Sequence, residues 1–586
     1  MEISIVTERV QLKDIKVGDY IKSYDHDLNM NDYKEVKEVF FPEVPHEKQA
    51  RITFDDEEYI ITSNTHRMWV KQNEQWDYCE TKDIIIGDLL LQDDGKEKIV
   101  SSVVIGKQTE ETSYRDLTIE GNHNYFVAID SNSKMVLGHN SANCFIPFWH
   151  LQIKDFMVLK NNKGTDETRA RKMDYCMKVS KIFYERYLNN EKITLFSPHE
   201  VPELVQSFGT PSFDKLYKEA EKRRGIRKVK IDAVTFFHEY LLERVATGRM
   251  YIMNVDHVNS HSSFVPTIHM SNLCMEITLL TKPIKDFNDP KGEIALCILS
   301  AINVVKCRTD AELEETCRLA VYGLDSVIDQ QDYVLPAAEI PAKKRRPLGV
   351  GITNLAAYLA ERKLKYSDNA AIKVVHDLQE KIQFYLLKAS CELAKEKGPC
   401  EWFNETKYSQ GLLPIDTYRR TVDEICPNVL NCDWEWLREQ IRIYGLRNST
   451  LSAQMPCESS SIASNSTNGH DPVRKLITEK RSKVVTLTQL VPNFEKYGKY
   501  YETQFDMPDN YGYINICAVM QKFIDQSISA NTYHDYTKYP DEQIPMSDLV
   551  AELIYGYKMG IKTWYYNVTP DERDESAACA GGGCAV

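Results

Sequence analysis

The sequence predicts a two-part chain, an all-β unit over residues 1–140 followed by a longer α/β unit. Three observations predict it. Residues 1–140 alternate apolar and polar in short runs broken by Asp, Asn and Gly, the period-two pattern of half-buried strands. After Asn140 apolar residues recur at i, i+3 and i+4 over long stretches, which is the helical period. Short apolar strands such as MYIMNV and IALCILS stand between those helices, and such alternation marks an α/β domain.

In the first unit the strands are YIKSYD, EEYIITS, HRMWV, NYFVAID and KMVLG. In the second, helices are predicted at DAVTFFHEYLLERVATG, ELEETCRLAVYGLDSVIDQ and IKVVHDLQEKIQFYLLKASCELAKEKG, the last closed by Gly398. The end, DERDESAACAGGGCAV, is small and Gly-rich and reads as a flexible arm over 567–586. At about 150 residues per domain, 586 residues predict about four domains. With 42% hydrophobic and 27% charged residues the composition is globular. A net charge of −14 argues against a nucleic-acid-binding surface. No apolar run of eighteen residues occurs, and MEISIVTERV is neither a signal peptide nor an anchor. A cytoplasmic chain is therefore expected, with most of its fifteen cysteines reduced and some chemically employed.

Chemistry is suggested first at the junction MVLGHNSANCF. The side-chain amide of Asn140 can attack its own carbonyl to close a succinimide, His139 can polarise that carbonyl, and Ser141 can carry an acyl group. The alternative is an ordinary loop. In the second unit SNLCMEI sets Asn272, Cys274 and Glu276 at alternate positions, so an extended segment turns all three to one side. Cys297 stands inside the apolar IALCILS, where a buried inert thiol is the alternative. MPCESSSIASNSTNG offers Glu458, Ser459 and Ser460 at a helix start with free amides for an anion, or plain N-capping. Tyr565 and Tyr566 are adjacent, and Cys579 and Cys584 sit on the mobile arm, suited to thiol–disulfide exchange or metal binding.

Taken in order, VQLKDIKVGDYIKSYD, TSNTHRMWV and YRDLTIEGNHNYFVAIDSNSKMVLGHN resemble the blocks of an intein's protein-splicing domain across residues 1–140. The resemblance implies a Hint-type all-β fold. It makes His66 the histidine that strains the upstream scissile amide, Asp116 and His123 later helpers, and His139, Asn140 and Ser141 the downstream junction. Ser63 replaces a usual Thr, and the opening nucleophile has no counterpart before LKDIKVGD. The expectation is the C-terminal piece of a split intein, to be completed by an upstream chain.

From Ser141 onward the chain resembles the large, catalytic subunit of class I ribonucleotide reductase, through WHLQIKDFMVLKNN, YIMNVDHVNSHSSF, SNLCMEI, GEIALCILSAIN, GLRNSTLSAQMP, MQKFIDQSISANT and KTWYYN. The resemblance implies part of a ten-stranded α/β barrel over 141–566 that reduces ribonucleoside diphosphates. Cys274 would be the thiyl radical, Glu276 the base at the 3′ hydroxyl and Asn272 a ligand of the sugar hydroxyls. Cys297 would be one of two reducing thiols, and Glu458, Ser459 and Ser460 would hold the diphosphate. Tyr566 then Tyr565 would relay the radical, and Cys579 and Cys584 would re-reduce the site. No metal or cofactor is implied on this chain. ATP or dNTP effectors belong to the complete subunit and the radical-generating metal to a small subunit. The implied partners are that small subunit, thioredoxin or glutaredoxin, a second large subunit and the upstream chain that carries the missing half. The expected setting is the cytoplasm of a prokaryotic cell or of its virus-infected counterpart. The chain is then a precursor that trans-splices into the enzyme; the alternative is a splicing module carrying a non-catalytic remnant.

Three further patterns invite other readings. RPLGVGITN places Gly349 and Gly351 before a helix, but Asn354 replaces the third glycine of a dinucleotide fingerprint. KKRR at 343–346 reads as a solvated loop. His257 and His261 have i, i+4 spacing without a third ligand and read as structural.

Overall fold

A computed structural model describes residues 143–570 except 165–167, 172, 287 and 482–485, and before them 20–25, 30–40, 49–54, 59–63, 67–72, 75–80, 83–86, 88–91, 97–105, 116–119, 126–127 and 136–137. The chain divides into two compact units, Met1–Ser141 and Ala142–Val586.

All regular elements described in the first unit are strands. Tyr20–Asp25, Met30–Phe40 and Asp116–Ile119 form an antiparallel sheet. A six-stranded sheet runs in the order Tyr59–Ser63, Gln49–Phe54, Glu97–Ile105, Leu89–Leu91, Arg67–Gln72, Gln75–Glu80. Its small core comprises Ile52, Met68, Val70, Ile84, Leu90 and Val100. Met68 and Val70 stand two apart in Arg67–Gln72, so their side chains share one face of that strand.

In the second unit a five-stranded sheet runs Asn143–Pro147, Asp174–Val179, Met250–Asn254, Thr563–Val568, Ala530–Tyr533. The first three strands are parallel; Thr563–Val568 joins antiparallel to Met250–Asn254 and parallel to Ala530–Tyr533. Single parallel bridges Gln454↔Ile528 and Val350↔Ser452 carry the arc on to the parallel pair Gly349–Thr353 and Leu299–Asn303. Among the described residues the strands trace an open arc. Near-continuous burial of Met250–Asn254 and Gly349–Thr353 fits parallel strands covered on both faces.

The helices cover this arc. In Ala233–Thr247 Asp232 accepts from Thr235 N, and Gly248 ends it at φ 70°. A full capping box from Thr309 and Glu312 starts Asp310–Gln330. Asn369–Lys397 buries seventeen of its residues at the centre of the unit. One continuous hydrophobic core runs through the whole of this unit, so the length-based expectation of four domains is too high. Among the described residues no helix is long and apolar enough to cross a membrane.

The side patterns resolve physically. The KKRR run is not a solvated loop: Arg345 is buried against Glu293 and Glu405, and Arg346 against Asp325 and Asp329. Gly349 and Gly351 lie inside a strand, where a Cβ on Gly351 would meet the Ala453 carbonyl oxygen at 2.6 Å. His257 bonds the Tyr557 carbonyl, and His261 uses both nitrogens on Thr417 and the Gln521 carbonyl.

Candidate active site

The segment SNLCMEI is a turn, which corrects the expectation of an extended run. Met275 sits in the left-handed region at φ 72°, and its N–H donates to the Asn272 carbonyl at 3.3 Å. The turn nonetheless gathers the polar side chains. Asn272 Nδ2 donates to Glu276 Oε1 at 2.8 Å and reaches Cys297 Sγ at 3.7 Å, while Asn272 Oδ1 accepts from Ile277 N at 3.1 Å. Both functional ends of one amide are therefore committed, which fixes its rotamer. Cys274 and Glu276 are buried. Cys297 is exposed, and it lies two residues ahead of the strand Leu299–Asn303 instead of within it. Among the described residues the apolar letters before Leu299 belong to no named strand, and Ile298 O accepts from Gly349 N at 2.9 Å.

The Cys274 thiol meets the tyrosine pair. Tyr565 Oη donates toward Cys274 Sγ at 3.6 Å, and the Tyr565 and Tyr566 rings pack with centroids 3.8 Å apart and planes tilted by 34°. Consecutive strand residues ordinarily point to opposite faces. Here the register passes from Ala530↔Trp564 to Thr532↔Asn567, so Tyr565 and Tyr566 together oppose the single residue Asn531. This bulge lets neighbouring rings pack together. Asn531 Oδ1 accepts from Tyr566 N at 3.1 Å. The buried Arg244 guanidinium bonds the carbonyls of Tyr565 at 2.7 Å and Tyr566 at 3.1 Å, along with Met250 O. Burial lowers the pKa of Arg244 to about 10. Tyr251 packs on both rings, at 5.0 and 5.9 Å. Burial pushes the hydroxyls of Tyr565, Tyr566 and Tyr251 above the ordinary tyrosine range.

Glu458, Ser459 and Ser460 open the helix Glu458–Ala463 and are exposed. The residue before them, Cys457, gives no side-chain cap, so plain capping does not account for this sequence. Its amide instead donates to Asn468 Oδ1 at 2.6 Å. His66, His123, His139, Asn140, Ser141, Cys579 and Cys584 lie outside the described residues. Asp116 opens its strand opposite Phe40.

Sequence reading missed Arg244, Ser529, Asn531 and Thr563. Arg244 carried a signal, since it falls on the apolar stripe of its helix beside Tyr240 and Leu241. His376, Asp377 and Glu380 come within 4.8 Å of one another. Their oxygens already take the amides of Asn431 and Cys432, the Trp434 indole and Lys373, which leaves the group a structural explanation.

Comparison with known proteins gives two family matches. Residues 139–567 match the ribonucleotide reductase barrel domain, and residues 3–141 the pretoxin HINT domain. Among curated relatives, the ribonucleoside-diphosphate reductase subunit alpha of Buchnera aphidicola subsp. Schizaphis graminum is 47% identical over 454 residues, covering 77% of this chain and 60% of that protein. Subunit alpha of reductase 1 from Escherichia coli K12 is 47% identical over 474 residues, covering 78% and 62%. The subunit alpha of Enterobacteria phage T4 is 41% identical over 474 residues, covering 77% and 62%. The chain thus spans about 60% of the length of these relatives.

Proposed function

The chain belongs to the ribonucleotide reductase large-subunit family, and on that footing we propose that its second unit reduces ribonucleoside diphosphates to 2′-deoxyribonucleoside diphosphates by thiyl-radical chemistry. The observation that carries this reading is the contact line Tyr566–Tyr565–Cys274, which ends beside Asn272, Glu276 and Cys297.

In this reading an oxidised Tyr565 takes the hydrogen atom of the Cys274 thiol, becoming a phenol again and leaving a thiyl. The thiyl removes the 3′ hydrogen of the ribose. Glu276 accepts the 3′ hydroxyl proton while the 2′ hydroxyl takes a proton from one of the two reducing thiols and leaves as water, and Asn272 holds the sugar hydroxyls. Two electrons come from Cys297 and a second thiol on the remainder of the large subunit, which close a disulfide. The 3′ hydrogen then returns from Cys274. Glu458, Ser459 and Ser460 hold the diphosphate at their helix start, and Cys579 and Cys584 reopen the disulfide by exchange before thioredoxin or glutaredoxin reduces them. A small subunit supplies the radical from its metal centre, nucleotide effectors bind the remainder of the large subunit, and large subunits pair.

The first unit, in the same reading, is a splicing domain. Asn140 cyclises with help from His139, and Ser141 is joined to an upstream polypeptide that carries the rest of the subunit and the N-terminal splicing piece; His66, Asp116 and His123 assist. Co-expression with the upstream reading frame, read by intact mass, should yield a ligated product lacking residues 1–140. A folded pair that never ligates overturns the splicing reading, and Asn140→Ala should stop cleavage. In the ligated enzyme Cys274→Ser should abolish turnover, and retained activity would remove the radical assignment.

A further inference from the structure

One cavity in the second unit, of about 310 Å³, has a wall that carries cations and, among the described residues, no carboxylate. It lies where the helix Val255–Ser260, the segment 417–422, the end of the helix Tyr511–Gln521 and the turn Met559–Gly560 meet. Arg419 and Arg420 line it as exposed side chains and Lys522 as a buried one. It shares no lining residue with the site described above. Burial lowers the pKa of His257 and His261 in the same wall, so the charge at neutral pH comes from the two arginines and the lysine. In a chain of net charge −14, such a concentration of positive charge calls for an explanation.

Two of the cations share one aromatic ring. The Arg420 guanidinium lies 4.3 Å from the Tyr418 ring centroid and its Nη1 donates to Tyr418 Oη at 2.6 Å, while Lys522 Nζ lies 4.6 Å from the same centroid. Lys522 also donates to Asp423 Oδ1 at 3.2 Å. Asp423 stands outside the wall, and among the described residues it is the one carboxylate that pairs with any of the three. The Arg419 guanidinium has no hydrogen bond or ion pair among the described residues. Its stem is nonetheless fixed: Gly560 has φ 88°, and a Cβ there would meet Arg419 Cβ at 2.7 Å, so only glycine lets the turn come this close. Asp423 answers one of the three positive charges and leaves two uncompensated.

We propose that this cavity binds a phosphate dianion, either the free ion or the monoester of a small molecule. Cations gathered with too few anions repel one another, and an anion that enters removes that cost. A phosphate monoester carries close to two negative charges at neutral pH, which matches the two left uncompensated, whereas a single carboxylate would answer only one. The arginine forks suit phosphate oxygens two at a time, and Lys522 supplies a point charge at the floor. About 310 Å³ is near the lower end of the range of ligand pockets, room for a phosphate and a small organic group. No covalent bond is made or broken.

The test is equilibrium dialysis of the full chain against inorganic phosphate at neutral pH. Arg419→Gln should weaken binding about tenfold, the size of one hydrogen bond to a charged group, and Arg419→Lys should weaken it less. Because the Arg419 head has no protein partner to lose, both variants should unfold at the wild-type temperature. The Arg419→Gln, Arg420→Gln pair should bind no phosphate. Glycerol 3-phosphate run in parallel separates the two sources: tighter binding than phosphate marks an ester site, and equal binding marks a site for the free ion. Acetate should not compete, and competition equal to that of phosphate overturns the proposal. Phosphate could also meet the helix start at Glu458, so a Ser459→Ala, Ser460→Ala pair serves as control and should bind as wild type does. Binding that survives the arginine pair and is lost in the serine pair belongs to that helix and overturns the proposal, as does the absence of any binding.

Discussion

Single residues set the chemistry here through what their neighbours leave them to do. Arg244 is the clearest case: it is a buried cation whose hydrogen bonds go to three backbone carbonyls, two of them in the tyrosine pair. Arg244→Met keeps the bulk and loses these bonds, so it should destabilise by about 2–3 kcal/mol, as hydrogen bonds to charged groups do. Urea unfolding measures this, and a change under about 0.5 kcal/mol would refute the role, since that is the scatter of neutral substitutions. Tyr565→Phe should leave unfolding unaltered, because the ring contact at 3.8 Å survives, while turnover of the ligated enzyme disappears; an active Tyr565→Phe enzyme would break the relay. At this scale the identities of Asn272, Cys274 and Glu276 were legible in the sequence. Their geometry was not, because Met275 takes a positive φ that no glycine announces. Ser529 and Thr563 were invisible because they approach the turn from more than 250 residues away.

At the scale of elements, the long helices were legible because their apolar period and their caps agree. Thr309 and Glu312 mark one start, and Gly398 with φ 81° one end. The bulge at Tyr565 and Tyr566 was hidden, since register is a property of two strands and only one is local. The KKRR run misled for a related reason: its last two residues turn inward to carboxylates from distant segments. This gives a pH prediction. Arg346 holds the Asp329 carboxyl below its ordinary 3.8. A carboxylate depressed in the folded state contributes stability above its unfolded value and loses it as pH falls through the folded one. Asp329→Asn should therefore be less stable than wild type at neutral pH, with the gap narrowing below pH 3.8. A gap that persists unchanged in acid would show that the pair contributes through packing alone.

At the scale of the whole molecule, two units with separate hydrophobic cores should unfold separately. Calorimetry of the full chain should show two transitions, and the larger should persist unshifted when a core residue of the smaller unit is cut back, as in Leu90→Ala. A single shared transition would mean the cores are coupled. Thr563–Val568 is the last described strand in the sequence, yet it lies between Met250–Asn254 and Ala530–Tyr533 in the five-stranded sheet. Synthesis therefore leaves a gap in that sheet until residues 563–568 have left the ribosome. The nascent protein must wait with two unpaired strand edges facing one another, and such edges invite foreign strands. A chain cut short before Thr563 yields no smaller working version of this unit. It yields a sheet with a missing slat, which is ready material for chaperones and proteases.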